Sequence, residues 1–188
     1  MFKYSKLLPY PLNIKKKDLK MAKFIITQFG GPDGELGAAI RYLSQKFSMP
    51  DDRGRALLND IATEEFGHAE MIATMVHMLI KDASLKEIKD AGLDEYYVSH
   101  GKGIYPIDQN GIPFNATALQ STSDVFTNLS EDMAAEEKAR STYENLIDLT
   151  EDEDVIKALL FLRQREIVHF NRFKELYDIY KNELKERH

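Results

Sequence analysis

The sequence contains no cysteine, and this absence removes several classes of function at once. Disulfide scaffolds, iron–sulfur clusters, thiolate zinc sites and cysteine nucleophiles are all excluded. No run of apolar residues approaches the length of about 18 that a membrane-spanning helix needs. The N-terminal residues also lack an apolar stretch of signal-peptide length. We therefore expect a protein that is made in the cytoplasm, has no membrane span and is not secreted by a signal peptide.

Basic residues are in deficit as well. The chain has 25 lysines and arginines against 31 aspartates and glutamates, which gives a formal net charge of −6. A nucleic-acid-binding protein needs a basic face to meet the phosphates, so this balance argues against a nucleic-acid partner. With 188 residues, 43% of them hydrophobic, the chain is typical of one globular domain and not of a disordered segment.

The alternation of polar and apolar residues that marks a β-strand is also missing, and helical periodicity takes its place. Residues 1–14, with Pro9 and Pro11, predict an extended N-terminal arm, and residues 15–188 predict a single all-α domain. Four main helical stretches are expected in it, at about 18–47 with a bend at 30–34, 53–80, 123–149 and 151–184, the last with Thr150 as its N-cap. Residues 93–121 have no clear period and predict a long connection between the second and third stretches.

Charged residues interrupt the apolar stripes of these helices near their middle. Glu65 and His68 lie on the stripe of the second helix, Glu136 and Arg140 on that of the third, and Glu166 and His169 on that of the fourth. A buried carboxylate is costly unless it is neutralised, paired or bound to a metal. Three helices with the same feature at similar depth indicate a shared cause.

The spacing of these residues is typical of one kind of metal site. Two Glu-x-x-His motifs are present, and residues three apart share a face of a helix. One glutamate from each of two helices and one Glu-x-x-His from each of two others form the ligand set of ferritin-like dimetal proteins. The candidate ligands are Glu35, Glu65, His68, Glu136, Glu166 and His169. The sequence therefore predicts a ferritin-like four-helix bundle with a dimetal carboxylate site, and oxygen and imidazole ligands favour manganese or iron.

The same residues carry a resemblance to the manganese catalase family over about residues 20–180. Gly-Gly-Pro-Asp-Gly-Glu at 30–35 resembles the segment that bears the family's first metal-binding glutamate, and Thr-Glu-Glu-Phe-Gly-His-Ala-Glu at 63–70 resembles its second-helix motif. Ala-Glu at 135–136 and Arg-Glu-Ile-Val-His at 165–169 resemble the third and fourth motifs.

The resemblance implies a role for each candidate ligand. Glu65 would bridge two manganese ions, and the other metal ligands would be Glu35, His68, Glu136 and His169. Glu166 would be held back from the metals as a proton carrier and would be the catalytic acid–base residue.

The resemblance also implies an activity and a setting. The reaction would be the disproportionation of hydrogen peroxide to water and dioxygen. The short chain resembles the spore-coat-associated form of the family, which implies a spore-coat location and other spore-coat proteins as partners. We also expect a homo-oligomer.

Two alternatives remain open at this stage. A di-iron ferritin-like or rubrerythrin-like oxidase or peroxidase would use the same six residues with two iron ions and with Glu166 as a true ligand. A structural coat protein with a residual metal site would also fit the aromatic N-terminal arm and the long connection.

Several neighbouring residues are expected to have simpler roles. Glu64, Glu70 and Glu137 are expected on solvated faces of their helices. Tyr42 and Tyr143 lie on or near core faces, where plain packing is favoured over a hydrogen bond to a ligand.

Overall fold

The computed structural model describes residues 7–186, and within this range it contains eight α-helices, two short 3₁₀ helices and no β-strand. The α-helices are α1 (Leu19–Ile25), α2 (Thr27–Gly30), α3 (Glu35–Gln45), α4 (Asp52–Ile80), α5 (Leu85–Asp90), α6 (Asp94–His100), α7 (Val125–Asp148) and α8 (Glu153–Lys185). The 3₁₀ helices are Lys46–Ser48 and Ala116–Ala118. None of the helices described is both long and apolar enough to cross a membrane.

Helices α3, α4, α7 and α8 form a four-helix bundle. Helix α3 packs on α4 and α7 packs on α8, and contacts of α4 with α8 and of α3 with α7 join the two pairs. The connection between α4 and α7 is long and carries α5 and α6. The predicted all-α bundle with a long crossover is therefore confirmed.

Two local predictions differ from the structure. Residues 94–100 were expected to lack regular structure, but they form α6, whose first turn carries Asp94 and Glu95 and whose tyrosines pack on the main core. The predicted N-cap Thr150 is wrong, because its hydroxyl accepts a hydrogen bond from the Asp152 N–H and closes a turn. Asp152 caps α8 instead by accepting from the N–H of Asp154.

One apolar cluster lies at each end of the bundle, and the two clusters fix the depth of the polar residues between them. On α4, Leu58 and Ile61 belong to one cluster, and the buried residues from Met71 onward belong to the other. Helix α8 runs the opposite way, with Leu162 in the second cluster and Phe173 in the first. The Glu-x-x-His motifs of both helices therefore share one layer between the two apolar regions.

The bend before α3 depends on a close approach of two backbone segments. A Cβ atom on Gly30 would collide with the backbone of Pro106 and Ile107 in the long connection. Because glycine has no Cβ, the connection can lie directly against the end of α2. This contact fastens the segment that leads into Glu35 at the start of α3.

The N-terminal segment lies along the bundle. Residues 7–14 contain no helix, and the rings of Tyr10 and Phe161 stack with centroids 5.1 Å apart. Pro9 lies over Gly67, where a Cβ atom would be 3.1 Å from the proline Cγ. The division into an arm and a bundle stays a prediction, and residues 1–6 of the arm lie outside the described range.

We expect Asp51→Ala to destabilise the protein by about 1–2 kcal/mol at neutral pH. Asp51 caps α4 by accepting from the N–H of Gly54 at 3.2 Å, and it also accepts from the Tyr180 hydroxyl at 2.8 Å. Hydrogen bonds from Arg53 are the largest cause that lowers the pKa of Asp51 to about 2 from an ordinary value of 3.8. A lowered folded-state pKa means that the stabilisation is complete above about pH 4 and is lost as the pH falls towards 2.

Urea unfolding of the metal-free parent and variant at pH 7 and pH 3 measures this difference. The gap in unfolding free energy should narrow at pH 3, and an equal gap at both values would contradict the assignment.

Candidate metal centre

The six candidate ligands come together in the buried layer of the bundle. They come from α3, α4, α7 and α8, and each is at most 2% exposed. They form two adjoining groups, in each of which one oxygen or nitrogen per residue lies within 4.8 Å of the others. The first group is Glu35, Glu65, His68 and Glu166, and the second is Glu65, Glu136, Glu166 and His169. The two groups therefore share Glu65 and Glu166.

Glu65 lies at the centre of this arrangement. Its Oε2 is 2.7 Å from His68 Nδ1, and its Oε1 is 2.7 Å from His169 Nδ1. The single glutamates stand further out, with Glu35 Oε2 3.6 Å from His68 Nδ1 and Glu136 Oε2 3.7 Å from His169 Nδ1. One carboxylate thus faces both imidazoles, and each imidazole also faces a glutamate of its own.

Two buried tyrosines bind the single glutamates in a reciprocal way. Tyr42 follows Glu35 by seven residues on α3, and its hydroxyl donates to Glu136 Oε1 at 2.5 Å. Tyr143 follows Glu136 by seven residues on α7, and its hydroxyl donates to Glu35 Oε1. Burial raises the pKa of both phenols well above the ordinary value, so both remain donors. Packing was the favoured role from sequence, and the structure adds the hydrogen bonds.

The pKa values of the two shared glutamates are shifted in opposite directions. Burial alone would raise the pKa of Glu65, but the charges of the two histidines and the hydrogen bond with His68 outweigh it and lower the pKa. Burial, together with the negative charges of neighbouring glutamates, raises the pKa of Glu166 well above its ordinary value. Burial also raises the pKa of Glu35 to about 8. The two shared glutamates therefore differ in the direction of their pKa shifts, downward for Glu65 and upward for Glu166.

The donor atoms fit a pair of divalent cations. Several of them have no hydrogen-bond partner among the described residues, namely Glu65 Oε1, His68 Nε2, Glu136 Oε2, Glu166 Oε1 and both ring nitrogens of His169. Glu65 Oε1 and His169 Nδ1 are 2.7 Å apart and still lack the geometry of a hydrogen bond. Buried polar atoms without partners are uncommon in proteins. Carboxylate oxygens and imidazole nitrogens without thiolates suit manganese or iron.

Glu64 was expected on a solvated face, and that expectation is wrong. Its Oε1 is 3.5 Å from His68 Nε2, and its Oε2 is 3.2 Å from His169 Nε2. Burial opposes ionisation of Glu64, but the two nearby histidines and the hydrogen bonds from Arg165 outweigh it and lower the pKa. Glu64 and Arg165 each directly precede a Glu-x-x-His motif, and this pairing of opposite charges was a signal in the sequence.

The core face of α7 is also shifted from the one expected. Arg140 was placed on the inward stripe, but it is half-buried and pairs with Glu137 and Glu144. Asp132 lies inside instead, fully buried one turn before Glu136, and burial raises its pKa well above the ordinary value. Glu70 and Glu137 are exposed, in agreement with the sequence analysis.

Comparison with known proteins identifies the family. The model of the manganese-containing catalases matches residues 1–186. The chain belongs to the manganese catalase family. This confirms the predicted family, and at the level of the family it supports catalase activity, manganese as the metal and hydrogen peroxide as the substrate.

Relatives resemble the chain along almost its whole length. Protein CotJC of Bacillus subtilis (strain 168) is 48% identical over 183 residues, which are 97% of this chain and 96% of the relative. A probable manganese catalase of Clostridium acetobutylicum is 32% identical over 185 residues, which are 97% and 82% of the two chains. The crystal structure of KatB, a manganese catalase from Anabaena, superposes on this chain with a TM-score of 0.87 at 33% identity. The superposition covers 96% of this chain and 81% of the KatB chain. The ferritin-like helical fold is thereby confirmed.

We expect Tyr143→Phe to weaken manganese binding about tenfold, since a group that orients a metal ligand is typically worth about 10–100-fold in affinity. The substitution keeps the ring and removes the hydrogen bond to Glu35. Calorimetric titration of the metal-free protein with manganese measures the effect.

Tyr180→Phe is the matched control, because Tyr180 is also buried and also donates to a carboxylate, but at Asp51 and outside the site. Equal affinities of Tyr143→Phe and the parent would show that the ring only fills space.

Proposed function

We propose that this protein is a dimanganese catalase that converts two molecules of hydrogen peroxide into two of water and one of dioxygen. The observation that carries the proposal is the pair of adjoining ligand groups that share Glu65 in a chain of the manganese catalase family. Adjoining groups of this kind suit two ions that share one carboxylate bridge.

The residues divide between two manganese ions according to the two groups. Glu35 and His68 would hold one manganese ion, Glu136 and His169 would hold the other, and Glu65, which belongs to both groups, would be shared by the two. When bound, the manganese pair supplies the storage of two electrons that peroxide oxidation and peroxide reduction exchange. The tyrosine hydroxyls keep the two outer carboxylates turned towards the centre.

Glu166 is the residue that moves protons. Oxidation of one peroxide to dioxygen releases two protons and two electrons, and reduction of another to two waters takes up two of each. Glu166 Oε1 is buried without a hydrogen-bond partner among the described residues, and burial raises the pKa of this carboxyl. A carboxyl with a raised pKa is suited to carry one of these protons from the peroxide that is oxidised to the peroxide that is reduced.

A di-iron oxidase or peroxidase is the second candidate, and one observation favours it. Glu166 belongs to both ligand groups, as it would if it bound both metals. Metal analysis of protein purified from its own host, together with an assay of oxygen release from peroxide, separates the two. Iron without oxygen release would replace the catalase proposal.

We also propose a homo-oligomer located in the spore coat, in contact with other coat proteins. The support is the resemblance to the short, coat-associated form and the match with CotJC over almost the full length of both chains.

We expect Glu65→Gln and His68→Ala to abolish most manganese binding and most oxygen release while helicity is retained. Glu65 belongs to both ligand groups, and His68 supplies the imidazole of the first. Metal content by mass spectrometry, helicity by circular dichroism and oxygen release by electrode measure the three quantities.

His77→Ala is the matched control on α4, because this histidine is exposed. Full metal content in both site variants would refute the proposed centre.

We expect Glu166→Gln to lower the turnover rate about 100-fold or more while most of the manganese stays bound. The amide has the shape of the carboxyl group but cannot carry its proton. Steady-state oxygen release and metal content are measured on the same samples. Parallel loss of metal and rate would instead make Glu166 a metal ligand.

A further inference from the structure

The Nε2 atoms of His68 and His169 both point towards the carboxylate of Glu64. Their rings stack with centroids 5.7 Å apart and an angle of 23° between the planes. Both Nδ1 atoms face Glu65, so both Nε2 atoms face the other way. Glu64 lies there, with Oε1 3.5 Å from the Nε2 of His68 and Oε2 3.2 Å from that of His169.

The chemistry of a ligating imidazole explains why an acceptor is needed at this place. A histidine that offers Nδ1 to a metal carries its proton on Nε2, which then becomes a hydrogen-bond donor. Neither Nε2 has a partner with hydrogen-bond geometry among residues 7–186. Glu64 offers one oxygen to each, at 3.2 Å from His169 Nε2, within hydrogen-bond distance, and at 3.5 Å from His68 Nε2, slightly beyond it. Carboxylates in this position fix the ring orientation of metal-binding histidines.

Arg165 holds Glu64 towards the site. Its Nε donates to Glu64 Oε1 at 2.6 Å and its Nη2 to Glu64 Oε2 at 3.2 Å, so both oxygens are engaged. A side chain that is 26% exposed would otherwise turn towards water. Glu64 precedes the motif of α4 and Arg165 precedes that of α8, so the same position of the two motifs carries opposite charges that meet across the bundle.

We infer that Glu64 is a positioning residue that accepts hydrogen bonds from the Nε2 atoms of His68 and His169 together, and that Arg165 keeps it there. The inference rests on the dimetal centre of the proposed function. It has a specific consequence, because one carboxylate serves the histidines of both ions. Loss of Glu64 therefore weakens both manganese sites, whereas loss of the Tyr143 hydroxyl acts on Glu35 alone.

The test is a manganese titration of the metal-free full-length chain, read by native mass spectrometry so that species with zero, one and two ions are counted. We expect Glu64→Gln, which keeps the shape but loses one acceptor oxygen and the charge, to weaken both binding steps about 10–100-fold. Arg165→Gln should give a smaller shift in the same direction, and Arg165→Lys should restore part of it.

Glu144→Gln is the matched control for a lost ion pair. Glu144 binds Arg163 between α7 and α8 with nitrogen–oxygen distances of 2.8 and 2.6 Å, and its side chain is 39% exposed, against 26% for Glu64. This variant should leave both binding steps unchanged, while its thermal unfolding without metal should shift as that of Glu64→Gln does.

Three outcomes decide the matter. Weakening of both steps in Glu64→Gln but not in Glu144→Gln supports the inference. Unchanged binding, or weakening of one step alone, overturns it. A parent protein that binds fewer than two manganese ions would instead overturn the proposed function, so the two failures are distinguishable.

Discussion

Four carboxyl groups in the centre of a helical bundle, with two imidazoles among them, lose their hydration and repel one another, and the surrounding structure reflects this cost. The apolar clusters on either side supply the burial that holds the four helices together. Between them, the tyrosines bind the outer glutamates, and an ion pair at the edge faces the histidines. The two tyrosines and this ion pair thus support the polar layer formed by the candidate ligands.

The site is built from two similar halves that differ where the chemistry differs. Each half is a pair of helices that contributes one glutamate, one tyrosine and one Glu-x-x-His motif. The halves differ in the charge of the residue before the motif and in the direction in which the pKa of the motif glutamate is shifted. The two histidines lower the pKa of Glu65 against the effect of burial, whereas burial and the neighbouring carboxylates raise the pKa of Glu166. These differences are what the proposed bridge and the proposed proton carrier require.

Much of this arrangement could be predicted because charged residues on an apolar stripe are conspicuous. Glu65 and His169 interrupt regular core patterns, so their inward direction followed from periodicity alone. Glu64 was missed because a helical position next to a core residue is ambiguous, and only a partner from another helix decides its direction. For Tyr42 and Tyr143 packing was favoured over a hydrogen bond to a ligand, because a tyrosine on a core face does not reveal in the sequence that its hydroxyl also donates. Asp132 was missed because the face of α7 was placed with Arg140 on the inward stripe.

The contact of Pro9 with Gly67 couples the N-terminal segment to the site from outside. Gly67 belongs to the helical turn between Glu65 and His68, and the proline occupies the space that a side chain there would fill. The segment therefore covers the helical turn that carries Glu65 and His68. A protease that clips the first dozen residues, or a fusion partner that pulls them away, would uncover that turn without touching any residue of the site itself.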